Sequence, residues 1–188
     1  MHFAPDVEAT LEFTAVLCNT VPSASRTGSD ELATVPELHS LLDANAFGGT
    51  RDHTEGERRA VADTRVLLRT LWTLQRDELA GAINVILREA NALPQLTRHD
   101  EFDWHIHAIP MDAPLVDRIR VEVALALVDV IRADATDRLR MCEAHDCEGL
   151  LVDLSRNGSK RFCSVRCGNR MNMIAYRERQ LAYTDLLD

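Results

Sequence analysis

The sequence predicts a mainly α protein, with a helical N-terminal domain that contains a small β-hairpin and a C-terminal treble-clef-like zinc finger. Two observations predict this fold class. Apolar residues recur at helical spacing through most of the first 137 residues. Four of the five cysteines are concentrated in the last quarter, as Cys142-x4-Cys147-x15-Cys163-x3-Cys167. We therefore place a helical domain over residues 1–137 and a four-cysteine zinc finger over residues 138–188.

The N-terminal domain divides into five predicted helices. The first follows Pro5, carries Cys18 on its apolar face and ends near Asn19. Thr34-x-x-Glu37 and Thr54-x-x-Glu57 have the pattern of capping boxes, so the second and third helices should begin after them. The residues predicted to open the fourth and fifth helices are Asp77, and Asp112 with Pro114.

Between the fourth and fifth helices the period of the pattern changes to two. The segment 94–110 alternates, with Trp104 and Ile106 on one side and His105 and His107 on the other. Alternation of this kind is typical of a half-buried strand. We predict a small hairpin here that turns near His99-Asp100, before the fifth helix runs toward Asp137.

The four clustered cysteines predict one structural zinc ion. Thiolates held close together repel one another, and a shared divalent cation removes that repulsion. Two short-spaced pairs about fifteen residues apart suit a tetrahedral four-cysteine site. Two disulfides are the main alternative, but residues 1–6 have neither the basic nor the apolar region of a signal peptide. An iron-sulfur cluster is a further alternative, although its ligand spacings differ. With no open position, such a zinc would be structural rather than catalytic.

Charge is distributed unequally along the chain. Residues 1–152 carry 14 arginines against 26 acidic residues, whereas residues 153–180 carry six arginines and Lys160 against Asp153 and Glu178. The C-terminal segment is therefore formally +5 within a chain of net charge −9. An acidic body with a basic end is typical of a sensing or assembly domain joined to a module that binds a polyanion.

The positive residues of the finger are candidates for DNA contact. We predict a hairpin over Leu150–Phe162 that turns at Asn157-Gly158, followed by a terminal helix whose first turn is Cys163-x3-Cys167. One stripe of that helix contains Arg166, Arg170, Met173 and Arg177. An adjoining, mostly apolar face that could dock on the body contains Met171, Ile174, Glu178 and Leu181. The predicted DNA-binding residues are Arg156, Lys160, Arg161, Arg166, Arg170 and Arg177. The alternative is that the arginine row is simply a solvated helix face.

The C-terminal residues resemble the CGNR zinc finger family. The resemblance rests on the run from Asp153 to Ser164, on Cys167-Gly168-Asn169-Arg170 and on Tyr176-Arg177-Glu178-Arg179. The preceding residues resemble the helical ABATE domain, through Asn19-Thr20 and through Asp30-x-Leu32 leading to Pro36-x-Leu38. The resemblance implies a stress-induced transcriptional regulator, in which the finger binds DNA and the helical domain senses a signal or oligomerises.

Other polar or reactive side chains are weaker candidates. His105 and His107 could form a metal pair, but no third ligand lies nearby in sequence, so we expect them on the surface of a strand. His145 lies between two cysteines and is expected to remain unliganded. Cys18 is predicted to be a core residue, and Asn19-Thr20 either ends the first helix or lines a pocket.

The expected function is therefore that of a cytoplasmic DNA-binding regulator. No nucleophile elbow, phosphate-binding glycine loop or zinc-protease motif is found, so we do not predict an enzyme, although a metal-dependent hydrolase is a remote alternative. No apolar run has the length of a membrane span. We expect a homodimer, because a single small finger would bind DNA weakly, and an unidentified small-molecule effector. The second hypothesis is a zinc-stabilised protein-interaction module that does not bind nucleic acid.

Overall fold

The computed structural model describes residues 3–98 and 103–184, with side chains to residue 180. Helices form most of it, and two antiparallel two-stranded sheets complete it. The helices are α1 (Pro5–Cys18), α2 (Val35–Ala44), α3 (Glu55–Leu71), α4 (Arg76–Glu89), α5 (Leu115–Arg132) and α6 (Val165–Thr184). The strands are β1 (Gln95–Thr97), β2 (His105–His107), β3 (Leu139–Met141) and β4 (Leu150–Val152). The predicted fold class is confirmed. Within the described residues no helix is long and apolar enough to cross a membrane.

The helix starts follow local hydrogen bonding. At α2 the predicted capping box is present, because Glu37 N–H donates to Thr34 Oγ1 and Thr34 N–H donates to the Glu37 carboxylate. At α3 the cap is only half of a box. Glu57 N–H donates to Thr54 Oγ1 at 3.2 Å, but the Glu57 carboxylate accepts from the N–H groups of residues 52–53 instead. Thr54 is therefore confirmed as the cap of α3, but the predicted hydrogen bond from the Thr54 N–H to the Glu57 carboxylate was wrong.

The predicted start of α4 was wrong by two residues. Gln75 is the residue before the helix, and its N–H donates to the Glu78 carboxylate at 3.3 Å. Asp77 therefore lies in the first turn, where its negative charge still favours the helix N-terminus. The chain can begin the helix earlier because the Glu78 side chain reaches back and satisfies a backbone donor.

The core lies where α1, α3 and α4 pack around α5. The side chains at its centre are buried completely or almost completely, among them Leu11, Leu68, Ile83, Ile119 and Leu127. Cys18 is also buried in this core, and burial raises the pKa of its thiol to about 12. The prediction that Cys18 is a core residue is confirmed, and its thiol is not a nucleophile at neutral pH.

The first hairpin is present, but the face that it buries is the histidine face, which the sequence did not indicate. β1 pairs with β2 in the register Gln95 to His107 and Thr97 to His105. His105 is only 7% exposed, whereas Trp104 is 64% and Ile106 48% exposed. The expectation that the two histidines lie on the surface was wrong. His105 is buried with its Nδ1 against the Asp103 carbonyl, and His107 contacts Glu122 on α5. The predicted turn at His99-Asp100 lies outside the described residues.

The second hairpin connects the helical body to the cysteine-rich segment. β3 and β4 pair antiparallel, with Leu139 opposite Val152 and Met141 opposite Leu150. Leu139, Leu150 and Val152 belong to the same buried cluster as the helices, and β4 packs on α1. The β3–β4 hairpin of the C-terminal segment therefore contributes side chains to the core of the helical domain.

The side chain of Asn19 fastens this hairpin to the body. Its Nδ2 donates to the carbonyl oxygen of Leu150 at 2.8 Å, and its Oδ1 accepts from the Leu150 N–H at 2.6 Å. The Asn19 amide therefore pairs with β4 as a neighbouring strand would, and it satisfies both the N–H and the carbonyl group of Leu150. Trp72 Nε1 donates to the Leu151 carbonyl at 3.1 Å, and Arg69 Nη2 to the Glu148 carbonyl at 2.6 Å.

Replacing Asn19 by Ala should lower the free energy of unfolding by about 2 kcal/mol, because two hydrogen bonds are lost and two backbone groups of β4 lose their partner. Urea denaturation followed by circular dichroism measures this change. Asn84 is exposed on α4 and provides the matched control, since Asn84→Ala should change stability by less than about 0.5 kcal/mol. Equal effects of the two substitutions would contradict the role of the Asn19 amide.

Candidate metal centre and arginine helix

The four cysteines of the C-terminal segment come together at one point. Their Sγ atoms all lie within 4.8 Å of one another, and none of the five cysteines is in a disulfide. The Cys147–Cys163 and Cys163–Cys167 sulfur separations are 3.6 and 3.8 Å. Thiolates arranged tetrahedrally at 2.3 Å from zinc are about 3.8 Å apart. The cluster therefore has the dimensions of a single zinc site, and the alternative of two disulfides is not supported.

Local structure places each ligand. Cys142 directly follows β3, and its N–H donates to the Gly149 carbonyl at 2.7 Å, so Cys142 and Cys147 lie at the tip of the β3–β4 hairpin. Cys163 precedes α6. Cys167 lies in its first turn, where the Cys167 N–H donates to Ser164 Oγ at 3.2 Å. The predicted position of the second cysteine pair at the start of the terminal helix is confirmed.

Gly149 leaves the space that the cluster needs. A Cβ atom at this position would lie 2.7 Å from Cys163 Sγ and 3.2 Å from Cys147 Sγ. The Gly149 N–H also donates to Cys147 Sγ at 3.3 Å, which favours the thiolate form of that sulfur. The backbone of Gly149 thus approaches the sulfur atoms more closely than a residue with a Cβ atom could.

The donor set fits one structural zinc ion and leaves no position for a substrate. Burial raises the pKa of the Cys147 and Cys163 thiols, so without a cation they would remain protonated at neutral pH. A shared divalent ion stabilises all four thiolates. When bound, zinc would be held by Cys142, Cys147, Cys163 and Cys167, and would link the tip of the β3–β4 hairpin to α6. His145 is exposed, as expected for an unliganded residue.

Asp153 organises the chain between the two pairs of ligands. Its carboxylate is buried and accepts hydrogen bonds from the N–H groups of Ser155 and Lys160 at 3.0 and 2.9 Å. Ion pairs to Arg140 and Arg138, at 3.3 and 3.9 Å, compensate its charge. Although burial alone would raise the pKa of Asp153, the hydrogen bonds from Ser155 and Lys160 and the charge of Arg140 outweigh it and hold this pKa below its ordinary value.

This network corrects the predicted hairpin over Leu150–Phe162. The strand that pairs with β4 is β3, and no strand follows the turn at Gly158 within the described part of the chain. Gly158 does have positive φ, at +61°, and its N–H donates to the Ser155 carbonyl. The N–H of Lys160, which a hairpin would direct at the opposite strand, donates to the Asp153 carboxylate instead.

Four of the six predicted DNA-binding residues contact the protein itself. Arg170 Nη2 lies 2.6 Å from the Asp146 carboxylate and 3.7 Å from Cys167 Sγ. Arg161 Nε lies 2.6 Å from the Glu143 carboxylate. Lys160 Nζ donates to the Val152 carbonyl at 3.2 Å, and Arg166 Nη1 donates to the Arg26 carbonyl.

The other two predicted residues have exposed side chains. Arg156 is exposed beside the turn, and Arg177 is exposed on α6. Neither side chain makes a hydrogen bond or an ion pair with another described residue. Every residue of α6 from 172 to 180 is exposed except Ala175.

The apolar face of α6 does not dock as expected. Met171 packs beside the cysteines, but Ile174 is 37% exposed. The side chain of Leu181 lies outside the described residues. The helix is therefore held at its first turns by the metal site, and its second half extends away from the body.

Comparison with known families agrees with both resemblances. A family model described as "Putative stress-induced transcription regulator" (ABATE) matches residues 13–134, which is more than half of the chain. The chain belongs to the ABATE family. A second model, the CGNR zinc finger, matches residues 138–180. No curated protein matches this ABATE protein. Neither matching family is described as an enzyme family.

Sequence reasoning missed two residues that build this part of the ABATE protein. Asn19 was treated as a helix end or a pocket residue, and its pairing with β4 joins positions 131 residues apart. Asp153 was used only as a charge and as the first residue of the run that resembles the CGNR finger. Its signal was present in the sequence, as an aspartate followed two residues later by Ser155, a spacing at which the carboxylate can accept a backbone N–H.

Replacing Gly149 by Ala should weaken zinc binding at least about tenfold, because the new methyl group would collide with two metal-ligand sulfur atoms. Competition with a chromophoric chelator measures this affinity. Gly81→Ala on α4 is the matched control, since no atom lies within 4 Å of its added Cβ. The control should retain wild-type zinc affinity, and retention by Gly149→Ala as well would contradict the packing around the metal.

Replacing Asp153 by Asn should lower the free energy of unfolding by about 3 kcal/mol at neutral pH, because the buried carboxylate charge that pairs with two partly buried arginines is lost. The pKa of Asp153 is lowered in the folded state, so its contribution is complete above the unfolded pKa of about 3.9 and is lost as pH falls through the folded pKa. The difference in stability between wild type and variant should therefore shrink below about pH 4. Urea denaturation across a pH series measures it. Acid also releases zinc from both proteins, so the difference between them is the informative quantity, and a constant difference would contradict the assignment.

Proposed function

We propose that this ABATE protein is a DNA-binding transcriptional regulator that acts in the cytoplasm and has no enzymatic activity. In this proposal the finger presents α6 to DNA, and the helical domain responds to a small-molecule signal. The observation that carries the proposal is that α6 is fixed at one end by the metal site and exposed along residues 172–180, where Arg177 and Arg179 are located. An exposed helix with guanidinium groups has the shape and charge to enter a major groove.

The contacts within the finger define which arginines would meet DNA. Arg170 is held by Asp146, so its role in this proposal is to fix the angle at which α6 leaves the metal site. Arg177 lies seven residues further on, which is about two helical turns or 10 Å along nearly the same face. Arg177, Arg179 and Arg156 are therefore the proposed contacts, and Arg161, Arg166 and Lys160 are secondary to them.

A homodimer follows from the small number of these contacts. Two or three phosphate contacts per finger give a logarithmic salt slope of only about −2 to −3, which corresponds to weak binding at physiological salt. Two fingers in one particle would double the slope and raise the affinity through effective concentration. We therefore propose that the protein binds DNA as a homodimer.

A protein-interaction module is the second candidate. The observation that favours it is the exposure of apolar side chains on the same half of α6, where Met173 and Tyr176 are each 52% exposed. In that case the extended helix would contact another protein, and the arginines would remain solvated. The absence of salt-dependent DNA binding by the zinc-loaded protein would favour this candidate over the regulator.

Arg177→Ala should weaken DNA binding uniformly across sequences while leaving zinc content and helicity unchanged, because the side chain contacts only solvent in the free protein. Fluorescence anisotropy with a labelled duplex at several salt concentrations measures affinity and salt slope together. The slope should become less negative by about 2 for a dimer and by about 1 for a monomer, since each lost phosphate contact contributes about 0.9.

Arg88→Ala provides the matched control, because Arg88 is an exposed arginine on α4, within the acidic body. It changes net charge by the same amount and should leave the salt slope unchanged. Light scattering at the concentrations where DNA is bound reports the number of chains directly. Equal effects of both substitutions would show that only net charge matters and would contradict contact through α6.

A further inference from the structure

A cleft in the helical domain contains an arrangement of histidines that the proposed function does not use. The cleft has a volume of about 580 Å³ and lies between the β1–β2 hairpin, the start of α1, the end of α2 and α5. This volume is in the range of small-molecule sites. Its walls include apolar side chains such as Phe13, Phe47 and Trp104, and one part is lined by His105, His107 and Glu122.

The two imidazole rings are held by their Nδ1 atoms. His105 Nδ1 lies 2.8 Å from the carbonyl oxygen of Asp103, and His107 Nδ1 lies 3.0 Å from Glu122 Oε1. The two Nε2 atoms are 3.0 Å from each other. His105 is 7% exposed and the His107 side chain 15% exposed, so these positions are set by packing as well as by hydrogen bonds.

Each Nδ1 atom faces a hydrogen-bond acceptor. A backbone carbonyl can only accept, so His105 Nδ1 carries a proton. The Glu122 carboxylate also accepts, so His107 Nδ1 carries one. The two Nε2 atoms face each other across 3.0 Å. When both rings are neutral, each Nε2 atom has a lone pair, and a cation placed between the two nitrogens would stabilise this contact.

We propose that His105 and His107 bind a divalent transition-metal ion through their Nε2 atoms. Imidazole is a preferred ligand of Zn²⁺, Ni²⁺ and Cu²⁺. Histidines that bind metal usually donate their other ring N–H to a carboxylate or a backbone carbonyl, which are the two partners found here. Nitrogens bound to one such ion are about 2.9 to 3.3 Å apart, depending on coordination geometry, and the observed 3.0 Å falls in this range.

The surroundings favour a cation and leave coordination positions open. The negative charge of Glu122, whose side chain is 25% exposed, lies against His107. Among the described residues, the cysteine cluster is the group of three or more potential ligands whose atoms converge. The histidine pair therefore supplies two protein ligands, and water or a donor atom of a molecule in the cleft completes the coordination. Affinity should accordingly be lower than at the sulfur site, and the ion exchangeable.

Isothermal titration of the full chain, already loaded with its finger zinc, tests the proposal with Ni²⁺ as the probe. The wild type should bind one additional ion per chain, and His105→Ala or His107→Ala should weaken this binding at least tenfold. Glu122→Gln keeps an acceptor for His107 Nδ1 but removes the charge, so it should weaken binding less. Zinc analysis and circular dichroism of each variant establish that the finger and the fold are intact.

His53→Asn is the matched control, because His53 stacks on His39 with ring centroids 4.1 Å apart and could form a competing surface pair. Asparagine also suits the positive φ of 55° at this position. Loss of the additional ion in this variant, or its retention in both cleft variants, would overturn the proposal.

A measurement on the wild type does not depend on the folding of any variant. Paramagnetic Ni²⁺ should selectively shift or broaden the ring proton resonances of His105 and His107. Unaffected resonances, or the absence of a second ion, would overturn the proposal and leave a proton shared between the rings as the cation. All these measurements use protein without DNA, so they can succeed or fail independently of the regulator proposal.

Discussion

Convergence of four thiols within 4.8 Å is the constraint on which the C-terminal quarter of this ABATE protein depends. The buried apolar residues that surround them are few, namely Ala144 and Leu151, with Phe162 and Met171 partly buried at the margin. So small a cluster cannot offset the conformational entropy of the segment. A metal ion bound by all four sulfurs supplies the missing stability, because ligand binding and folding are then one process. The direction in which α6 leaves the finger is fixed by the same bonds.

The metal-bound module is not independent of the helical body, because β4 belongs to both. Successive side chains of a strand point to opposite faces. Leu150 and Val152 enter the core of the body, whereas Leu151 packs beside the cysteines. The backbone of the same strand is held by Asn19 and Trp72. Loosening of either unit therefore exposes apolar surface in the other, and the two should unfold cooperatively despite the separate family matches for each.

Sequence reasoning succeeded where a short local pattern determines the structure and failed where distant contacts decide. The caps at Thr34 and Thr54 and the spacing of the cysteines are local, and the structure contains all of them. The hairpin predicted over Leu150–Phe162 was wrong because the Asn157-Gly158 pair indicates a turn but does not show which strand pairs with β4. The side on which the two histidines lie was not predicted, because His107 pairs with Glu122, which lies on a helix that alternation along β2 cannot reveal. The ion pair between Arg170 and Asp146 was not predicted either, because helical spacing shows which residues share a face but not which residues that face contacts.

Helix α1 connects the cleft to the finger. Its first turns, including Asp6 and Thr10, line the cleft, and Asn19 directly after its last residue pairs with β4. α1 also packs along α5, the helix that carries Glu122. A helix transmits displacement along its axis because its backbone hydrogen bonds resist bending. A change in how α1 packs on α5 at the cleft would therefore move Asn19 relative to the core. Strand β4, which is paired with Asn19, would move with it, and so would the hairpin tip that carries Cys142 and Cys147. If the signal of the proposed function binds at the cleft, this packing would connect it to the angle of α6 without requiring any part of the finger to unfold.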